Sequence, residues 1–198
     1  MSPAAASPGL VLASTSPFRR EILQKLGLPF DTAAPGTDET MMDKEPPDAL
    51  VSRLAENKAR AVAGDWPHAL IIGSDQVACV DGEILGKPGN RENAVKQLSR
   101  AAGKTVTFYT GLCLFNSSSQ RAQVCCEPFK VHFRRLNEAQ IGRYPDHEQP
   151  FNCAGSFKSE GMGITLFSKL EGDDPNTLIG LPLIRLVEML GNEGIELP

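Results

Sequence analysis

The residues able to do chemistry fall in separate stretches that suit a polyanion. In "LVLASTSPFRREIL", Ser14 and Ser16 precede Arg19 and Arg20 where a strand turns into a helix. A helix start offers unpaired backbone N–H groups and the positive end of the helix dipole, both of which favour an anion. Two cations in that first turn are misplaced unless a phosphate joins them, because guanidinium forks pair well with phosphate oxygens. A second reading stands beside this one: a solvated turn whose arginines pair locally with Glu21.

Acidic residues supply the other half of such chemistry. Glu39 sits with Asp38 in the polar loop "GTDETMM", and Asp75 interrupts the apolar run "ALIIGSDQVACV". A carboxylate in such a run needs a partner or a task, so Asp75 is either tied to backbone N–H groups or functional. Glu39 with Asp75 suits Mg²⁺, which often takes one or two carboxylates and completes its shell with water and substrate phosphates. Lys87 in "LGKPGN" is a further candidate phosphate contact, and Lys58 in "ENKARA" is a candidate cleft residue or an ordinary surface lysine.

The elements that must position these residues can be read from periodicity. Leu10–Ala13 reads as a buried strand, and Ser16 as the N-cap of a helix that has Pro17 at its first position and ends at Gly27. "LPFDTAAP" reads as a second strand, and a helix runs from Pro46 or Pro47 toward Ala63 with Leu50, Leu54, Ala61 and Val62 as its apolar stripe. "ALIIGSDQVACV" is the strongest strand, with "DGEILG" making a hairpin after it. Asn90–Ala102 reads as a helix, "TVTFYTGLCLF" and "QVCCEPFKVHF" as strands, Asn137–Tyr144 as a short helix, and "GLPLIRLVEML" as a closing helix. Between the last two lies the Gly-rich stretch "CAGSFKSEGMGITLF". Strands and helices mixed in this way indicate an α/β fold with a mixed sheet.

Other classes are disfavoured. A net charge of −4 does not fit a general nucleic-acid binder. The five cysteines, Cys79, Cys113, Cys125, Cys126 and Cys153, form no C-x-x-C pair and read as reduced thiols. His68, His132 and His147 lack zinc spacing. "GEILGKP" is not a Walker A loop, because its glycine spacing is one residue short and Pro88 stands where Ser or Thr belongs. There is no G-x-S-x-G. With no signal-like head and no long apolar run, the expectation is a cytoplasmic protein without membrane partners: a flexible tail over 1–8, then a single domain over 9–198.

Taken in order, "LASTSPFRREIL", "DET", "ENKA", "IIGSDQV", "GKP" and "AGSFKSEGMGITLF" resemble the Maf-like nucleoside triphosphate pyrophosphatases. Within that family the residues are similar to the branch acting on 7-methyl-GTP. The resemblance implies a single elongated α/β domain with a curved mixed sheet, two lobes and a central cleft, as in inosine triphosphatase-like folds. It implies hydrolysis between the α and β phosphates, giving the monophosphate and pyrophosphate with a divalent cation, Mg²⁺ or Mn²⁺. By position, Asp75 matches the proton acceptor. Ser14, Arg19, Arg20, Glu39, Lys58 and Lys87 match polar residues of the cleft, and Phe18, Gln76 and Glu160 the selectors of the base; of these, Ser14, Arg19, Arg20, Lys58 and Lys87 are expected to bind phosphate, and Glu39 with Asp75 the metal. The alternatives are a pyrimidine or general nucleoside triphosphate pyrophosphatase and a non-catalytic nucleotide-binding regulator of septum formation. The partner is a small nucleotide, and a homodimer is compatible with the sequence.

The selector residues fit a methylated guanine physically. That base is cationic, and its Watson–Crick edge offers N1–H and an amine to a carboxylate such as Glu160. Phe18 can stack on it, where an arginine would repel it, and Gln76 can reach the O6 side. The competing readings are a loop acid beside Lys158 for Glu160 and packing against the sheet for Phe18. In a regular strand Asp75 and Gln76 point to opposite faces. Sharing one cleft therefore predicts irregular backbone over Gly73–Gln76, with Gly73 permitting a bulge or a close ligand.

Overall fold

The structure is a computed structural model that describes residues 8–198. The expected tail over 1–8 therefore lies, but for Pro8, outside the described residues. The chain order is β1 (Gly9–Ala13), α1 (Pro17–Gln24), β2 (Asp31–Ala33), α2 (Pro47–Ala61), β3 (Ala69–Val80), β4 (Glu83–Leu85) and α3 (Arg91–Ala101), followed by β5 (Thr105–Asn116), β6 (Arg121–Phe133), α4 (Glu138–Glu148), β7 (Phe167–Glu171), α5 (Pro175–Ile179) and α6 (Leu183–Asn192). The strands form one seven-stranded sheet, β2-β1-β3-β5-β6-β7, with β4 added to β3. β1 is parallel to β2 and β3, and the other pairings are antiparallel. The mixed α/β class read from the sequence is the one observed.

The long strands β3, β5 and β6 carry the core. On one face α2 packs Ala55 and Ala59 against Ile71, Cys113 and Phe115. On the other face Leu70, Ile72, Leu112 and Leu114 meet α1 and α6. Further along that same face Ala78, Val80, Val106 and Phe108 meet α3 and α4. Ser74, Gln76 and Thr110 occupy the polar interval between these two apolar clusters.

One expectation fails here. β3 is regular throughout, and its pairing with β5 runs without a slip from Leu70 to Cys79. The irregularity expected at Gly73–Gln76 is absent, and Asp75 and Gln76 do face opposite sides. The solution lies in the strand's other edge. β1 pairs only as far as Ile72, and β4 begins to pair at Ala78. Gly73–Val77 is thus a stretch of regular strand with no neighbour on that side, and the chain leaves β1 there to begin α1. Residues on both faces of an open edge can reach one cleft without a bulge.

Gly73 also has a different purpose from the one expected. A Cβ there would lie 2.0 Å from the Ala55 carbonyl oxygen of α2, and one on the neighbouring Gly111 would lie 2.1 Å from that of Val51. The glycines admit a helix backbone rather than a ligand. Other differences are local. α4 runs on to Glu148, through Pro145, because Gln149 N–H still closes the last turn on the Pro145 carbonyl. β7 and α5 were not read from the sequence. No helix is long and apolar enough to cross a membrane among the described residues.

Gly73→Ala is expected to lower the unfolding free energy by about 1–3 kcal/mol, because helix backbone cannot rotate away as a side chain can. A urea midpoint equal to that of the unmodified chain would contradict the close-approach argument.

Candidate active site

The site is built where β3 lies open. Asp75 extends from β3 toward α2 and is almost fully buried. The Lys58 ammonium, also buried, donates to Asp75 Oδ1 at 2.5 Å and pairs with Glu39 Oε1 at 2.6 Å. Lys58 reaches this position because α2 lies so close to the sheet at Gly73 and Gly111. The sequence reading placed Lys58 with the phosphate contacts, whereas here its ammonium joins the two acids. Asp75 Oδ2 receives no hydrogen bond from the described residues and stays available as an acceptor.

The electrostatics follow from this contact. The hydrogen bond from Lys58 holds the Glu39 carboxyl below the usual carboxylate range; Lys87 and Arg19 add to the effect at longer range, and partial burial opposes it. Burial lowers the Arg19 pKa, and the negative charges of Asp75 and Glu39 partly restore it. Arg19, Glu39, Lys58, Asp75 and Lys87 therefore share one electrostatic neighbourhood.

The start of α1 faces the same place. Ser16 caps the helix by accepting from Arg19 N–H, and Ser14 Oγ accepts from Ser16 N–H. These two N–H groups are thus satisfied locally, and the hydroxyl hydrogens of the serines remain for a ligand. Arg19 Nε donates to the Gly180 carbonyl at 2.8 Å. Arg20 and Lys87 are exposed, and no carboxylate lies within 4.0 Å of Arg19, Arg20 or Lys87 among the described residues. The alternative of arginines paired with Glu21 is not what the helix does.

The three selector positions lie around this neighbourhood. Phe18 is half-buried and belongs to none of the apolar clusters. Glu160 is exposed in the loop between two short 3-10 turns, Ala154–Ser156 and Met162–Leu166. Lys158 turns away from it and donates to the Glu148 carbonyl, so the neighbouring lysine does not neutralise Glu160. The Cys153 thiol is pushed up by burial first and by Glu160 second, while Lys158 and Lys87 oppose. Lys87 thus lies within electrostatic range of Glu39 on one side and of Cys153 on the other, and Cys153 is also within range of Glu160.

Gln76 departs from its expected use. Its Nε2 has two hydrogens for three acceptors, Thr177 O at 2.8 Å, Thr110 Oγ1 at 2.9 Å and, sharing one of them, Leu178 O at 3.2 Å. Backbone carbonyls can only accept, so the nitrogen end of the amide is fixed against α5 and already spent. A base O6 needs a donor, which Gln76 no longer has. The free end is Oε1, an acceptor.

Two carboxylate oxygens within hydrogen-bond distance of one ammonium are a hard-oxygen pair converging on a single cation, which fits Mg²⁺ or Mn²⁺. No group of three or more His, Cys, Asp or Glu side chains is placed to hold a metal among the described residues. A bound ion would complete its shell from water and phosphate. A cavity of about 560 Å³ lies elsewhere, beside α4, lined by residues including Arg134, Arg143, Tyr144, Met162 and Leu166; none of the expected site residues lines it. Ser74, Thr110 and Gly180 were missed in the sequence. A buried serine beside Asp75 in an apolar run was the available signal for the first; nothing local marked the other two.

Residues 9–193 match the family model described as Maf-like protein. The chain is 61% identical over 187 residues to the 7-methyl-GTP pyrophosphatase of Colwellia psychrerythraea, covering 94% of each chain. It is 59% identical to that of Alcanivorax borkumensis, covering 97% of this chain and 98% of the relative. Among solved structures, the Ham1 protein of Staphylococcus aureus is similar at 14% identity with a TM-score of 0.45, covering 63% of this chain and 71% of that one.

The Glu39 shift sets a pH dependence. A depressed folded pKa stabilises the charged pair above the unfolded carboxylate value, and that stabilisation is lost as pH falls through the folded value. Lys58→Met is expected to raise the Glu39 pKa, read by carboxyl carbon NMR titration. An unmoved titration would contradict the Lys58–Glu39 contact.

Proposed function

As the chain belongs to the Maf-like family, we propose that it hydrolyses 7-methyl-GTP between the α and β phosphates, releasing 7-methyl-GMP and pyrophosphate. The observation that carries the reading is the Lys58 ammonium joining Glu39 and Asp75 beside the open edge of β3, with Arg19, Arg20 and Lys87 free of carboxylate partners around it.

In this reading Arg19, Arg20 and Lys87 hold the triphosphate, and the Ser14 hydroxyl donates to it. Glu39 and Asp75 would hold a divalent cation, which would supply charge stabilisation to the triphosphate. Asp75 Oδ2 takes a proton from water as the water oxygen bonds to phosphorus and the bridging P–O bond opens. Lys58 keeps the Asp75 carboxylate oriented through Oδ1 and balances its charge. The leaving pyrophosphate carries the electron pair of the broken bond, facing the cations.

Base choice follows from the exposed Glu160 and the half-buried Phe18. Glu160, without a cation partner among the described residues, accepts from N1–H and the exocyclic amine of the methylated guanine. Phe18 stacks on the positively charged ring. Gln76 contributes an acceptor, not the O6 contact first expected. A pyrimidine offers Glu160 only one of its two donors, so the pyrimidine version of the reaction is disfavoured. The regulator alternative calls for nucleotide binding without product.

Asp75→Asn is expected to cut pyrophosphate release by at least about a thousandfold. The fold should survive, because the amide oxygen still accepts from Lys58 and Glu39 still balances its charge. Near-normal turnover would remove Asp75 from the mechanism. Chelation should abolish release in the unmodified chain and Mg²⁺ or Mn²⁺ restore it; nucleotide binding without release under either metal would favour the regulator. Glu160→Gln is expected to reduce the preference for 7-methyl-GTP over other nucleotides by about tenfold, and an unchanged order across a nucleotide panel would overturn the selector role.

A further inference from the structure

Four side chains from three elements converge on the end of α5. Gln76 Nε2 and Thr110 Oγ1 both donate to the Thr177 carbonyl, at 2.8 and 3.0 Å. Gln76 also reaches the Leu178 carbonyl. Arg19 Nε donates to the Gly180 carbonyl at 2.8 Å, and the single hydroxyl hydrogen of Ser74 is shared between that carbonyl at 2.9 Å and the Gly111 carbonyl at 2.8 Å. The Thr177 carbonyl also accepts from Gly180 N–H at 3.1 Å, whereas the Leu178 and Gly180 carbonyls receive no backbone donor among the described residues, as is usual at a helix C-terminus. Gly180 holds φ at +122°, a conformation L side chains rarely adopt, and this turns its carbonyl toward the arginine.

We propose that the carbonyls of Thr177, Leu178 and Gly180 form one positioning element that orients both the phosphate arm and the base selector, with Ser74 and Thr110 as its positioning residues. The proposal rests on the pyrophosphatase reading above and assigns how two of its contacts are held. Thr110 has a single hydroxyl hydrogen, given to Thr177, so its oxygen must accept from Gln76. That fixes the Gln76 amide with Oε1 outward, where it meets a donor: on the guanine base this is the exocyclic-amine hydrogen that Glu160 does not take. On the other arm, Nε of Arg19 is consumed by Gly180, so only the two terminal nitrogens remain for phosphate, and the guanidinium meets it end-on. A short segment between β7 and α6 thereby sets the geometry of residues more than a hundred positions away in the chain.

Thr110 and Ser74 touch no substrate in this account, so their loss should separate the two arms. Calorimetry is run with inorganic tripolyphosphate for the phosphate arm, and with guanine and hypoxanthine triphosphates, which differ by one amine donor, for the base arm. Thr110→Val is expected to reduce guanine-over-hypoxanthine discrimination by about tenfold with tripolyphosphate affinity unchanged, and Thr110→Ser to restore it. Ser74→Ala is expected to weaken tripolyphosphate by about tenfold with discrimination unchanged. Gly180→Ala should affect both. In the unmodified chain the Gln76 side-chain amide protons should exchange slowly and keep their shifts when nucleotide is added. Equal effects of Thr110→Val and Ser74→Ala on both arms, no effect on either, or fast amide exchange would overturn the proposal. Because these readouts are binding and exchange, they stand even if the unmodified chain releases no pyrophosphate, an outcome that would sink the functional reading instead.

Discussion

The Lys58 ammonium between Glu39 and Asp75 is the contact on which the rest of the arrangement depends. A buried lysine is costly unless it is paired, and a buried aspartate in an apolar strand is equally so. Each solves the other's problem, and Glu39 closes the set from a loop. The contact requires α2 to lie against the sheet at a separation that any Cβ at Gly73 or Gly111 would forbid. Removing one partner would strand the other charge in a low-dielectric interior. This favours keeping both even when no ligand is present.

The same region solves a topological problem. Two side chains that must serve one ligand lie on adjacent residues of a strand, and adjacent residues face opposite ways. β3 does not bend to reconcile them. Its neighbours β1 and β4 cover its outer edge only at the two ends, leaving Gly73–Val77 open. Asp75 then works from the α2 face and Gln76 from the α5 face. The polar interval of Ser74, Gln76 and Thr110 falls in that stretch, between two apolar clusters that would otherwise merge. Polar groups so placed cost stability unless satisfied, and the carbonyls at the end of α5 satisfy them.

Much of this was legible in the residues themselves. The β1–α1 junction announced itself by Ser16, Pro17 and the two arginines, and the cap is where Ser16 placed it. The apolar run around Asp75 marked the central strand, and the mixed order of elements marked the fold class. What was not legible depended on contacts distant in sequence. Gly73 looked like a bulge or ligand position because nothing local shows that α2 crosses it. Gln76 looked like a donor because the carbonyls that consume its nitrogen lie a hundred residues further on. β7 is a five-residue strand, FSKLE, that follows the Gly-rich stretch and carries two charged side chains besides Ser168, and the helix read as Asn137–Tyr144 runs on through Pro145 to Glu148.

The measurement that tests the account most directly is a crystal structure with a non-hydrolysable α,β-methylene analogue of 7-methyl-GTP. The triphosphate is expected along the open edge of β3, with Arg19, Arg20 and Lys87 on its oxygens, the α–β bridge nearest Asp75 Oδ2, and the base between Phe18 and Glu160. Density for the nucleotide elsewhere, such as in the cavity beside α4 lined by Arg134 and Arg143, with the Lys58, Glu39 and Asp75 group untouched, would contradict it.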